Sequence, residues 1–105
     1  MRTINPIQFA LAALEKSAAE SKAYLGNGNS AFMREIDNDI KLVKFRTRNG
    51  FKPVDSKCND QHNLEVTFES NESNVTEEFS NRESVSAISA FCEAYELAER
   101  LAVIC

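Results

Sequence analysis

The chain has 105 residues, 43% hydrophobic and 27% charged, with sixteen acidic against twelve basic side chains and a net charge of -4. That length suits one domain, taken as 1–105, with a core of its own, and the composition excludes wholesale disorder; the acidic balance works against nucleic acid and anionic membranes. Cys58, Cys92 and Cys105 form no C-x-x-C spacing, a poor disulfide framework that points to a reducing, cytoplasmic setting, and the apolar stretch from Ile7 to Leu14 is far too short to span a membrane.

Asn5 and Pro6 open the first helix. Asparagine is a good N-cap, and proline suits the first helical position, where its missing N–H costs nothing. Ile4 and Phe9 stand at the two positions of a hydrophobic staple. Ile7, Leu11, Leu14, Ala18 and Leu25 recur at helical spacing, and Gly26 with Asn27-Gly28-Asn29 ends the helix in a loop. Residues 30–39 leave two readings open. Ser30 is a cap for a short helix through Ile36, whereas Asp37-Asn38-Asp39 is a poor continuation of any helix.

From Ile40 the pattern reads as period two. Val43, Phe45 and Thr47 alternate with Lys44, Arg46 and Arg48, which predicts a half-buried strand with the three cations on one face. Asn49-Gly50 is a hairpin signal, so Phe51 to Val54 is either a short returning strand, confined to an edge by Pro53, or irregular. Residues 55–62 read as loop. Leu64, Val66 and Phe68 alternate with Glu65, Thr67 and Glu69 as the cleanest strand, and after the turn at 71–74 Val75 to Phe79 returns antiparallel. Ser80-Asn81-Arg82-Glu83 has the type and spacing of a capping box. The helix it opens has a wide apolar arc, including Val85, Ile88, Phe91, Cys92, Tyr95 and Ala98, which needs more than one packing partner. Phe45, Phe68, Phe79, Phe91 and Tyr95 are the expected aromatic core.

The fold class is therefore α+β, in the order α-β-β-β-α. An N-terminal helix precedes an antiparallel sheet of three or four strands, and a C-terminal helix packs on one face. That order, with the opening Asn5-Pro6-Ile7, resembles the double-stranded RNA-binding domain. The resemblance implies RNA binding, but where that family carries a lysine-rich cluster this chain has Arg82, Glu83 and Ser84.

The charges are segregated. Residues 40–59 hold six basic residues and one acid, and residues 60–105 hold ten acids and two arginines. The basic run reads mainly as cross-strand pairing with Glu65 and Glu69. The acidic second half reads as a surface for a basic partner, with Glu72, Glu77, Glu93 and Glu96 as the contact residues. The only histidine, His62, stands near Cys58, but a structural zinc site needs four ligands and these supply two. Glu77 and Glu78 are adjacent, so on a strand they face opposite ways and cannot share a proton or metal.

No cofactor, metal or catalytic constellation is expected. The functional expectation is a non-enzymatic acidic protein-binding domain that inhibits a basic or nucleic-acid-handling partner, by analogy of size and charge with phage anti-defence (anti-CRISPR) and toxin-immunity proteins. The spare apolar face of the C-terminal helix makes a homodimer compatible with this. The alternative is a small nucleic-acid-binding domain using Lys44, Arg46, Arg48 and Lys52 of the segment 41–52.

Overall fold

The computed structural model describes residues 5–25 and 30–104; the staple residue Ile4, the loop at 26–29 and Cys105 lie outside them. The order is α1 (Pro6–Leu25), α2 (Ser30–Arg48), β1 (Lys52–Cys58), β2 (Leu64–Glu69), β3 (Asn74–Phe79) and α3 (Arg82–Ile104). The class is α+β as expected, but the order is α-α-β-β-β-α.

The first helix starts where its chemistry says it should. The Asn5 side-chain oxygen accepts hydrogen bonds from the backbone N–H of Ile7 (3.1 Å) and Gln8 (3.2 Å), satisfying donors that have no intrahelical partner. Ala10, Leu14 and Ala18 form its buried stripe, with Ile7 and Leu11 partly covered. Phe9 stays 43% exposed.

The segment predicted as a strand from Ile40 is instead the second half of α2. Ile36, Ile40 and Val43 are its buried residues, spaced four and three apart, which is the helical period and places them on one face. Phe45, the middle of the apparent alternation, is 50% exposed. Asp37 and Asp39 do not break the helix because other elements engage them. Asp37 pairs with Lys22 of α1, and Asp39 faces Ser84 of α3. Arg46 and Thr47 carbonyls receive the closing turn from Phe51 and Gly50, and Gly50 takes the left-handed φ of 85° that the turn requires.

The sheet is antiparallel in the order β1-β2-β3. The returning segment at 51–54 is a strand, and it extends through residues read as loop, to Cys58, because β2 offers partners along the whole of it. The pairing slips between Pro53 and Asp55, a bulge in an edge strand that also carries Lys52 and Pro53. All three features discourage pairing with another edge. Leu64, Val66 and Phe68 face the helices, with Phe79 beside Leu64 and Val75 beside Phe68. The opposite face is polar, and Lys52 and Lys57 stand directly across from Glu69 and Glu65. The cross-strand charge pairing expected of residues 40–48 is thus made by β1.

At α3 the cap is Asn81, not Ser80. Its side-chain oxygen accepts from the N–H of Glu83 (3.0 Å) and Ser84 (3.2 Å). Ala87, Ile88, Phe91, Tyr95 and Ala98 are buried. The wide apolar arc packs chiefly on α1, with lesser contacts to α2 and β1, so elements of the same chain supply the partners it needs. Among the described residues no helix is long and apolar enough to cross a membrane.

Candidate functional site

The predicted acidic contact residues come from three elements: the β2–β3 turn, β3 and α3. Glu72 is exposed in the β2–β3 turn, and Glu93 and Glu96 lie on the exposed side of α3. Glu77 is drawn beneath the sheet: its Oε2 accepts from Arg46 Nε (2.8 Å) and Nη2 (2.7 Å). A guanidinium with two donors on one carboxylate is a strong and directional contact. Arg46 also lies over the rings of Phe45 (5.7 Å) and Phe51 (5.5 Å), within cation–π range. Glu77 and Arg46 therefore tie α2 to the edge strand β3, so that Glu77 is engaged within the chain.

Glu78, on the outer face, belongs to a different cluster. Asn59 stands at the centre of the β1–β2 turn, where its side-chain oxygen accepts from the N–H of Gln61 and of Asn63, both at 3.0 Å. Its amide donates to Glu65 (2.9 Å) and to Glu78, which face each other across β2 and β3. One side-chain amide thus shapes the turn and separates two like charges. His62 takes the left-handed φ of 64° in this turn. Among the described residues no three His, Cys, Asp or Glu side chains converge on a point that would hold a metal ion.

The concave feature of the surface is a groove of about 440 Å³ between edge strand β1 and the C-terminal half of α3. Val54, Asp55 and Ser56 line one wall, and Tyr95, Glu96 and Glu99 the other, with Lys52 also on the lining. The groove exists because α3 covers only the start of β1: Pro53 is buried, while Ser56 and Cys58 remain exposed. Burial, with the charge of Glu99 and a hydrogen bond to it, pushes the Tyr95 hydroxyl up to about 12, so at neutral pH tyrosine is the donor and Glu99 the charged acceptor. Burial, reinforced by Glu93, pushes the Cys92 thiol up to about 12, which leaves it protonated and a poor nucleophile. The groove thus carries Glu96 and Glu99 on its α3 wall, with Asp55 and Lys52 at its β1 edge, an arrangement suited to holding cationic side chains. Of the four predicted contact residues only Glu96 lines it; Asp55 and Glu99 are additions.

The basic set divides as well. Lys44 pairs with Glu15 of α1 and Arg46 with Glu77. Arg48 and Lys52 are exposed, but no strand face joins the three cations, because on a helix 46 points away from 44 and 48.

The Ser84 hydroxyl, fully buried at the start of α3, has no hydrogen bond of regular geometry. It lies against Asp39, whose pKa is raised above 3.8 by burial; Ser84 pulls it back in part, and Glu35 pushes it further up. Between 3.8 and the raised value the folded chain binds more protons than the unfolded chain, so ionised Asp39 costs stability above that window, and the cost disappears as the pH falls through it. Asp39→Asn is expected to raise the thermal midpoint at neutral pH and to lose that advantage near pH ~4, within the ordinary carboxylate range. Melting curves of both chains across that interval check it; a constant difference at every pH contradicts it.

No protein family matches the chain, and neither does any curated protein or solved structure. The resemblance to the double-stranded RNA-binding domain rested on an element order that the extra helix α2 changes.

Proposed function

We propose that this protein is a non-enzymatic binding domain that captures a lysine- or arginine-rich segment of another protein in the β1–α3 groove. Acting by occlusion, it inhibits a basic, nucleic-acid-handling partner. The observation that supports this reading is that Glu96 and Glu99 both line one concave site, against the edge of β1. Carboxylates lining a cleft focus their field within it, which speeds association with a cation and selects for it. The edge protection of β1 complements this. Lys52, Pro53 and the bulge disfavour indiscriminate strand pairing, which leaves charge as the main basis of selection.

A labelled arginine-rich peptide, titrated by fluorescence anisotropy at low salt, tests the reading. Glu96→Lys with Glu99→Lys is expected to weaken binding by roughly tenfold or more, about 1.4 kcal/mol. Glu72→Lys, in the β2–β3 turn and outside the groove lining, is expected to change it little. Equal losses from both substitutions, or no binding by the unaltered chain, would remove the groove as the site.

A further inference from the structure

The three acids and two of the five cations of α2 are engaged by other elements. Glu35 accepts a hydrogen bond from Asn81 (2.9 Å), Asp37 pairs with Lys22, and Asp39 faces Ser84. Lys44 and Arg46 are engaged by Glu15 and Glu77. The other three cations, Arg34, Lys41 and Arg48, are exposed and make no ion pair among the described residues. They are seven residues apart, two helical turns each, so they stand in one line of roughly 21 Å. Asn38 and Phe45 lie on the same line, and both are exposed. Asp37, three residues after Arg34 and four before Lys41, borders the line but is paired with Lys22 of α1.

Phe45 is the informative member. It is 50% exposed, lies between Lys41 and Arg48, and has the Arg46 guanidinium 5.7 Å from its ring centre. A half-exposed aromatic ring on a stripe of cations that make no ion pair among the described residues has the chemistry of a surface on which a base stacks while neighbouring phosphates meet the cations. In a duplex the bases are already stacked and their faces covered.

We propose that this face of α2 binds single-stranded nucleic acid, with Arg34, Lys41 and Arg48 on phosphates and Phe45 against a base. The net charge of -4 does not prevent this. At physiological salt exposed charges beyond about 8 Å are largely screened, so the local stripe governs contact. The site is distinct from the β1–α3 groove and does not depend on it.

Anisotropy titrations of a labelled oligothymidylate against increasing salt test the proposal. Three phosphate contacts predict a log–log salt slope of roughly -2. Lys41→Glu with Arg48→Glu is expected to weaken binding by roughly tenfold or more and to flatten that slope. Phe45→Ala is expected to weaken it by roughly fivefold without changing the slope, because stacking releases no counterions. Lys16→Glu, on the exposed side of α1, serves as the control that leaves both unchanged, and unaltered circular dichroism shows that the variants fold. Absence of binding at low salt, indifference to the α2 substitutions, or equal affinity for a duplex or a polyglutamate competitor each overturns the proposal.

Discussion

Phe68→Ala is expected to destabilise the chain by about 3–5 kcal/mol. Phe68 is 0% exposed on the central strand β2, with Pro53 and Val75 opposite it on either side. The hydrogen-bond ladders to both neighbouring strands hold the backbone around it, so the site cannot collapse to fill the cavity left by the ring. A loss of this size is roughly a fifth or more of the ~5–15 kcal/mol that stabilises a typical domain. Thermal unfolding is expected to fall by more than about 12 °C. Phe45→Ala provides the contrast. Half exposed on α2, Phe45 contributes little to the core, and its removal is expected to cost less than about 1 kcal/mol. If 40–48 were a half-buried strand, the two substitutions would cost similar amounts.

That contrast also shows where the sequence was legible. The strands at 64–69 and 74–79 were readable because one face is buried and the other is wet, so hydrophobicity alternates without interruption. Both terminal helices carried cap chemistry together with a sustained 3.6 period. In α2 two periods overlap. Val43, Phe45 and Thr47 alternate locally, while Ile36, Ile40 and Val43 carry the helical spacing across a longer window. Asp37 and Asp39, weak helix formers, broke that window at its centre. Their partners, Lys22 and Ser84, lie on other elements, and tertiary contacts of this kind override local propensity without leaving a local trace.

The same limit applies to the groove. Its walls come from residues 52–56 and 92–99, and nothing in either segment indicates that α3 leaves the inner side of β1 uncovered. Glu96 was identifiable as an exposed acid on a polar strip, but its place in a groove against the edge of β1 was not. Glu77 was correctly separated from Glu78 by strand geometry, yet its use in a buried tie depended on a helix that had been read as a strand.

That tie carries the second large expectation. Arg46→Ala is expected to cost about 2–4 kcal/mol, since it removes both hydrogen bonds to Glu77 and the two ring contacts, and leaves a carboxylate beneath the sheet without its partner. The side chains of Arg46 and Glu77 are only 23% and 18% exposed, so water replaces the lost contact poorly. Glu77→Leu leaves the opposite defect, a guanidinium held by two rings with no anion. In the double variant Arg46→Ala with Glu77→Leu neither charge is stranded, and the loss is expected to fall short of the sum of the single losses by about 1–3 kcal/mol. Arg46→Lys is expected to recover little, because a point charge reproduces neither the paired donors nor the flat contact with Phe45 and Phe51. Denaturant unfolding of the four chains measures the coupling directly. Strict additivity would mean that the pair is a surface contact of no consequence, and that α2 is held to the sheet by Ile36, Ile40 and Val43 alone.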